Sequence, residues 1–168
     1  MKRGGKRLQL LKEIFIFFSL LLAVSYALNA FRAPHPTDIS PARLRGETLQ
    51  DLPVGEILRG KGPLLLHFWG TWCPVCRREA DNLQRVAGRY RVLTVAVNSG
   101  SSEEIRRWMK ERGLDYPVLP DPTGRWAKRF DVTLYPSSFI YDASGKLRFV
   151  ETGYTTTLGL LARLKLAE

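Results

Sequence analysis

The sequence predicts an α/β three-layer sandwich with a mixed central sheet, preceded by one transmembrane helix. Three observations predict it. Two almost wholly apolar strand-like segments, Leu64–Trp69 and Val92–Val97, alternate with stretches of helical periodicity. Two further strand-like segments, Ser137–Tyr141 and Leu147–Thr152, bracket Asp142-Ala143-Ser144-Gly145, a hairpin turn. Finally, 18 residues from Ile14 to Phe31 carry no charge.

Each element has its own local signal. Lys61-Gly62-Pro63 ends a loop, and Leu64–Trp69 reads as a buried strand. Gly70 to Pro74 makes a turn. The next helix places Ala80, Leu83, Ala87 and Tyr90 on one face. The second strand is apolar on both faces, as suits the centre of a covered parallel sheet. Ser101 and Glu104 form a capping box, after which Ile105, Trp108 and Met109 line a helix that stops near Gly113. Asp121-Pro122-Thr123-Gly124 reads as a turn, and a short helix after it carries Trp126 and Phe130. Leu158, Leu161 and Leu164 mark a last amphipathic helix. Strand–helix–strand units imply parallel pairing with right-handed crossovers, and the hairpin adds antiparallel strands.

Residues 1–13 form a basic tail and residues 14–31 the expected anchor. Eighteen apolar residues just suffice to cross the hydrocarbon core as a helix. Lys2, Arg3, Lys6, Arg7, Lys12 and Arg32 stand against Glu13 alone, a net of +5, half of the chain's +10. That asymmetry places the amino terminus in the cytoplasm and the remainder outside it. Ser25-Tyr26-Ala27 also permits a cleaved signal peptide; either reading exports residues 34–168. Residues 32–45, with three prolines, read as a linker, and residues 46–168 as the folded domain. The rest of the basic excess is spread among 15 acids, with no aromatic–basic motif, which argues against nucleic acid.

The chain has only two cysteines, Cys73 and Cys76. Two cannot build a disulfide scaffold, and with His35 and His67 they do not readily complete a zinc site. Disulfide exchange, by contrast, needs an attacking thiolate and a nearby second thiol. A Cys-x-x-Cys turn at a helix start supplies both. The helix N-terminus stabilises the thiolate of Cys73, the expected nucleophile, while Cys76 sits one turn inside and resolves. Pro74 suits the first helical turn.

The segment Phe68-Trp69-Gly70-Thr71-Trp72-Cys73-Pro74-Val75-Cys76 resembles the active site of thioredoxin-fold proteins. It is most similar to the membrane-anchored TlpA, ResA and CcmG type, and within it to suppressor of copper sensitivity D (ScsD) proteins. The likeness runs from about Leu44 to Leu166. It implies an envelope thiol–disulfide oxidoreductase of the bacterial inner membrane, with its catalytic domain in the periplasm. The redox-active disulfide would serve in place of a bound cofactor. The likeness also implies protein thiol or disulfide clients and a membrane reductase of the DsbD or ScsB kind as electron source. By the same resemblance Tyr135-Pro136 occupies the place of the family's cis-proline, and Trp72, Pro74, Val75, Tyr135 and Pro136 shape a substrate groove. Glu79 matches an active-site acid of the ResA-like reductases. His67 stands where thioredoxin has a buried aspartate, so Glu79 and His67 are the two candidate proton acceptors. A disulfide-forming oxidant and a Cu(I)-handling protein are the competing functions. No methionine neighbours the two thiols, which disfavours copper.

Overall fold

The structure, a computed structural model, describes residues 3–32 and 40–168. It divides into two units, residues 1–33 and 34–168. In the first unit a single helix, α1, runs Arg3–Arg32. Its described apolar side chains, among them Phe15, Phe18 and Leu20, are exposed on every face. Among the described residues no helix is long and apolar enough to cross a membrane. Leu22 and residues 28–31 of the expected anchor lie outside the residues whose side chains are described.

The second unit holds a five-stranded sheet in the order β3-β2-β1-β4-β5, where β1 is Leu64–Trp69, β2 Arg91–Val97, β3 Val118–Asp121, β4 Ser137–Tyr141 and β5 Leu147–Thr152. β1, β2 and β3 are parallel, while β4 runs antiparallel to both β1 and β5. The expected mixed sheet is therefore present.

Alternation along the strands divides the core in two. Leu64, Leu66 and Phe68 of β1, with Leu93, Val95 and Val97 of β2, pack on Val54, Trp126 and Phe130. These come from α2 (Val54–Arg59) and α5 (Arg125–Arg129), or immediately follow it. Phe68, Phe130 and Phe139 form a fully buried triad with ring centroids 5.2, 5.7 and 5.6 Å apart. Removing one such ring costs ~3–5 kcal/mol. On the other face Leu65, Trp69 and Ala96 pack on α3 (Pro74–Ala87), α4 (Ser102–Lys110) and α6 (Thr157–Leu166). The capping box of Ser101 and Glu104 forms as expected.

Three features depart from the sequence reading. The linker expected over 32–45 is too long: Pro41 and Leu44 are buried in the domain, and residues 33–39 lie outside the described residues. Helix α2 gives no signal in the sequence, because six residues are too short to show a period. Strand β3 is equally hidden, since Pro120 and Asp121 read as loop. Pro120 is tolerated because β3 is an edge strand.

Candidate active site

The site sits where β1 ends and α3 begins. Cys73 is the N-cap of α3 and Pro74 its first residue. Cys73 and Cys76 are joined by a disulfide. The Cys73 sulfur also accepts a hydrogen bond from the backbone N–H of Cys76 at 3.2 Å. That donor and the positive end of a 14-residue helix both favour negative charge on Cys73 once the bond is reduced. Neither half-cystine is open to water: Cys73 is 4 % and Cys76 2 % exposed.

The expected groove residues gather around this disulfide. The Tyr135–Pro136 bond is cis, and the carbonyl oxygen of Tyr135 lies 3.7 Å from the Cys73 sulfur. The Trp72 ring meets the Tyr135 ring edge to face at 5.3 Å, and its indole N–H donates to the Val97 carbonyl at 3.0 Å. Trp72 remains 48 % and Val75 38 % exposed, so an apolar rim surrounds a nearly covered sulfur. Sequence reasoning missed Ser99. Its hydroxyl accepts from the Thr71 backbone N–H at 3.1 Å and donates to the Val97 carbonyl at 3.0 Å, which fixes the turn before Trp72. Nothing in a single sequence signals that 28-residue link. Arg77 likewise donates from Nε to the Thr71 carbonyl at 2.8 Å.

Glu79 and His67 are both fully buried on the α3 side of the sheet. Glu79 accepts from the backbone N–H of Thr155 at 3.3 Å, and its second oxygen has no partner. Burial pushes its pKa up to about 8, against a smaller lowering by the Thr155 N–H. On β1, His67 Nδ1 shares a 2.8 Å hydrogen bond with the Ser138 hydroxyl across the β1–β4 register, and Nε2 has no partner. Burial pushes its pKa down to about 3. The two sequence candidates thus diverge chemically. A group near 8 is close to a free thiol's ~8.5 and can exchange a proton with it, whereas one near 3 is a poor base.

A parallel-and-antiparallel sheet between helical layers, with a Cys-Pro-Val-Cys disulfide capping a helix beside a cis-proline, defines a thioredoxin-like redox protein. The chain belongs to the AhpC/TSA family, whose pattern matches residues 42–150. It is similar to a thioredoxin-like protein of Haemophilus influenzae, 31 % identical over 95 % of this chain and 96 % of that one. It is also similar to the thiol-disulfide oxidoreductase ResA of Halalkalibacterium halodurans, 30 % identical over 86 % of this chain and 89 % of that one. Among solved structures, a secreted Mycobacterium tuberculosis disulfide oxidoreductase homologous to E. coli DsbE superposes with a TM-score of 0.63 at 28 % identity. The match covers 75 % of this chain and 97 % of that one. These relatives fit the TlpA, ResA and CcmG branch, and the protein is a thiol–disulfide oxidoreductase.

Proposed function

We propose that the protein reduces client disulfides outside the cytoplasm, from a domain tethered by residues 14–31. The observation that carries the chemistry is the Cys73–Cys76 disulfide at the N-terminus of α3, with the Cys76 N–H aimed at the Cys73 sulfur. The dithiol form starts the reaction. The Cys73 thiolate attacks one sulfur of a client disulfide, and the other client sulfur leaves as a thiolate. Cys76 then loses its proton and attacks the Cys73 sulfur. The Cys73–Cys76 disulfide forms and the second client thiolate departs. Two electrons have passed from the dithiol to the client, with no bound cofactor. Glu79 is the group assigned to the Cys76 proton, because its pKa lies near that of a thiol. Trp72, Pro74, Val75, Tyr135 and Pro136 form the surface on which the client lies.

The reducing direction rests on the likeness to ResA, and export on the basic flank, the uncharged run and the secreted relative. A membrane reductase of the DsbD or ScsB kind would then return electrons to Cys73–Cys76. The ScsD likeness of the Cys-Pro-Val-Cys segment makes proteins of copper tolerance the first clients to try. Equilibration with glutathione tests the direction. A reductant has a potential near or below about −200 mV; a value near the roughly −120 mV of a strong oxidant would reverse the assignment.

A further inference from the structure

The end of the sheet opposite the disulfide carries an unbalanced charge that the redox chemistry does not use. Leu64, Arg91 and Tyr141 lie in register at this end, whereas Cys73 lies beyond the other end of β1. Arg59, Lys61, Arg89 and Lys146 are exposed here, and none has an ion-pair partner among the described residues. Lys61 and Arg89 line one cavity, and Arg91 lines it too. Arg91 donates to the carbonyls of Ile57 and Leu58 at 3.0 and 3.1 Å and also bonds that of Gly62, so its charge is held in place. Two acids at this end are already neutralised: Asp142 pairs with Arg148 at 3.4 Å and Glu168 with Lys165 at 2.5 Å. Exposed Glu56, one turn before Arg59, offsets one charge, and a net of four positive charges remains. Around the disulfide both signs are mixed, with Arg77, Arg78 and Lys128 against Asp131, Glu103 and Glu104.

The same end receives the tether. Ser40 and Pro41 line a cavity with Leu64, Arg91, Tyr141 and Asp142. Only seven residues separate Arg32 from Ser40, a reach of about 25 Å. We propose that this basic end docks on anionic lipid headgroups, holding Cys73 and Trp72 away from the bilayer and free for clients. Each Lys or Arg near an anionic surface strengthens binding roughly fivefold, and the attraction fades within a Debye length of about 10 Å. The proposal rests on the anchor reading, and the test separates the two.

The full chain is placed in phosphatidylcholine discs with and without phosphatidylglycerol, each doped with a gadolinium-chelating lipid. Amide signals of Gly62, Arg89 and Ser144 are expected to broaden only in the phosphatidylglycerol discs and to recover at high salt, while those of Trp72 and Cys73 stay sharp. Substituting Arg59→Gln, Lys61→Gln, Arg89→Gln and Lys146→Gln together should abolish the broadening. It should also lower co-sedimentation with phosphatidylglycerol vesicles by several hundredfold, with insulin reduction unchanged. Equal broadening in both discs, persistence in the variant, or broadening at Trp72 would overturn the proposal. So would equal affinity for a DNA duplex, which would mark a general phosphate attraction. A chain that enters neither disc fails the anchor reading alone. Salt-sensitive co-sedimentation with phosphatidylglycerol vesicles then decides the docking surface, and its absence would overturn it.

Discussion

The sulfur of Cys73 lies 3.7 Å from the carbonyl oxygen of Tyr135, and the ring of Tyr135 in turn meets Trp72 edge to face. The redox sulfur and the client rim are thus parts of one packed unit. Trp72→Ala removes a half-exposed apolar wall and the bond to the Val97 carbonyl. It should raise the KM for a protein disulfide and lower kcat/KM about tenfold, the effect of losing ~1.4 kcal/mol of contact. Alkylation of reduced Cys73 by a small reagent should hardly change. An unaltered kcat/KM would remove Trp72 from the client surface.

Glu79 makes stability fall as pH rises. Its folded pKa of about 8 lies above its ordinary 4.5. Between those values the unfolded chain is ionised and the folded chain holds the proton, so the folded state loses ground across that window. Below it the difference vanishes; above it the loss is complete, at roughly 5 kcal/mol. Glu79→Gln should therefore flatten urea-unfolding stability across this pH range and raise it at alkaline pH. His67 has the opposite sign. Its pKa is lowered from 6.5 to about 3, so it destabilises the fold as pH falls through that range. Wild-type stability should consequently peak where the two windows overlap, between pH 4.5 and 6.5. A stability that climbs steadily to about pH 8 would contradict the burial of Glu79, and one that does not fall as pH drops from 6.5 to about 3 would contradict that of His67.

The same divergence sorts the two residues kinetically. Loss of a general base typically slows a step by ~10²–10⁴-fold. Glu79→Gln should slow resolution of the Cys73 mixed disulfide by an amount in that range in stopped flow at about pH 8 and above, where Glu79 is ionised, and leave the initial attack unchanged. His67→Leu should leave both steps nearly untouched, since a base with a pKa of about 3 accepts few protons from a thiol. Slowing by His67→Leu but not by Glu79→Gln would exchange their roles.

Much of this is legible in the residues. β1, β2 and α3 follow from apolar runs and helical spacing, and the disulfide and cis-proline positions from the segment around Cys73 and its family likeness. Other features depend on distant partners. Glu79 is buried because the loop before α6 returns over α3 and brings the Thr155 N–H to it, a contact spanning 76 residues. The helix period places that carboxyl on the stripe of Cys76 and Leu83, but a carboxylate is so seldom buried that its residue type alone argues for exposure. Alternation with Leu65 and Trp69 places His67 on the buried face, but its partner Ser138 requires the β1–β4 register. Asp121, which reads only as part of a turn, is buried, and its carboxylate accepts from the Trp126 and Ala127 N–H groups at the start of α5, both at 3.0 Å.

Export also has a direct readout. A reporter fused after Glu168 should work only if it functions outside the cytoplasm, and the chain should stay with membranes through alkaline carbonate. Activity of a strictly cytoplasmic reporter would contradict the assigned topology.

The order of attack is tested most directly by trapping. Cys76→Ser, reduced and mixed with a disulfide-bonded client, should accumulate a covalent adduct that mass spectrometry maps to Cys73 and that excess thiol releases. Cys73→Ser should give none. Adducts that accumulate on Cys76 in Cys73→Ser, with none in Cys76→Ser, would contradict the assignment of Cys73 as the attacking sulfur.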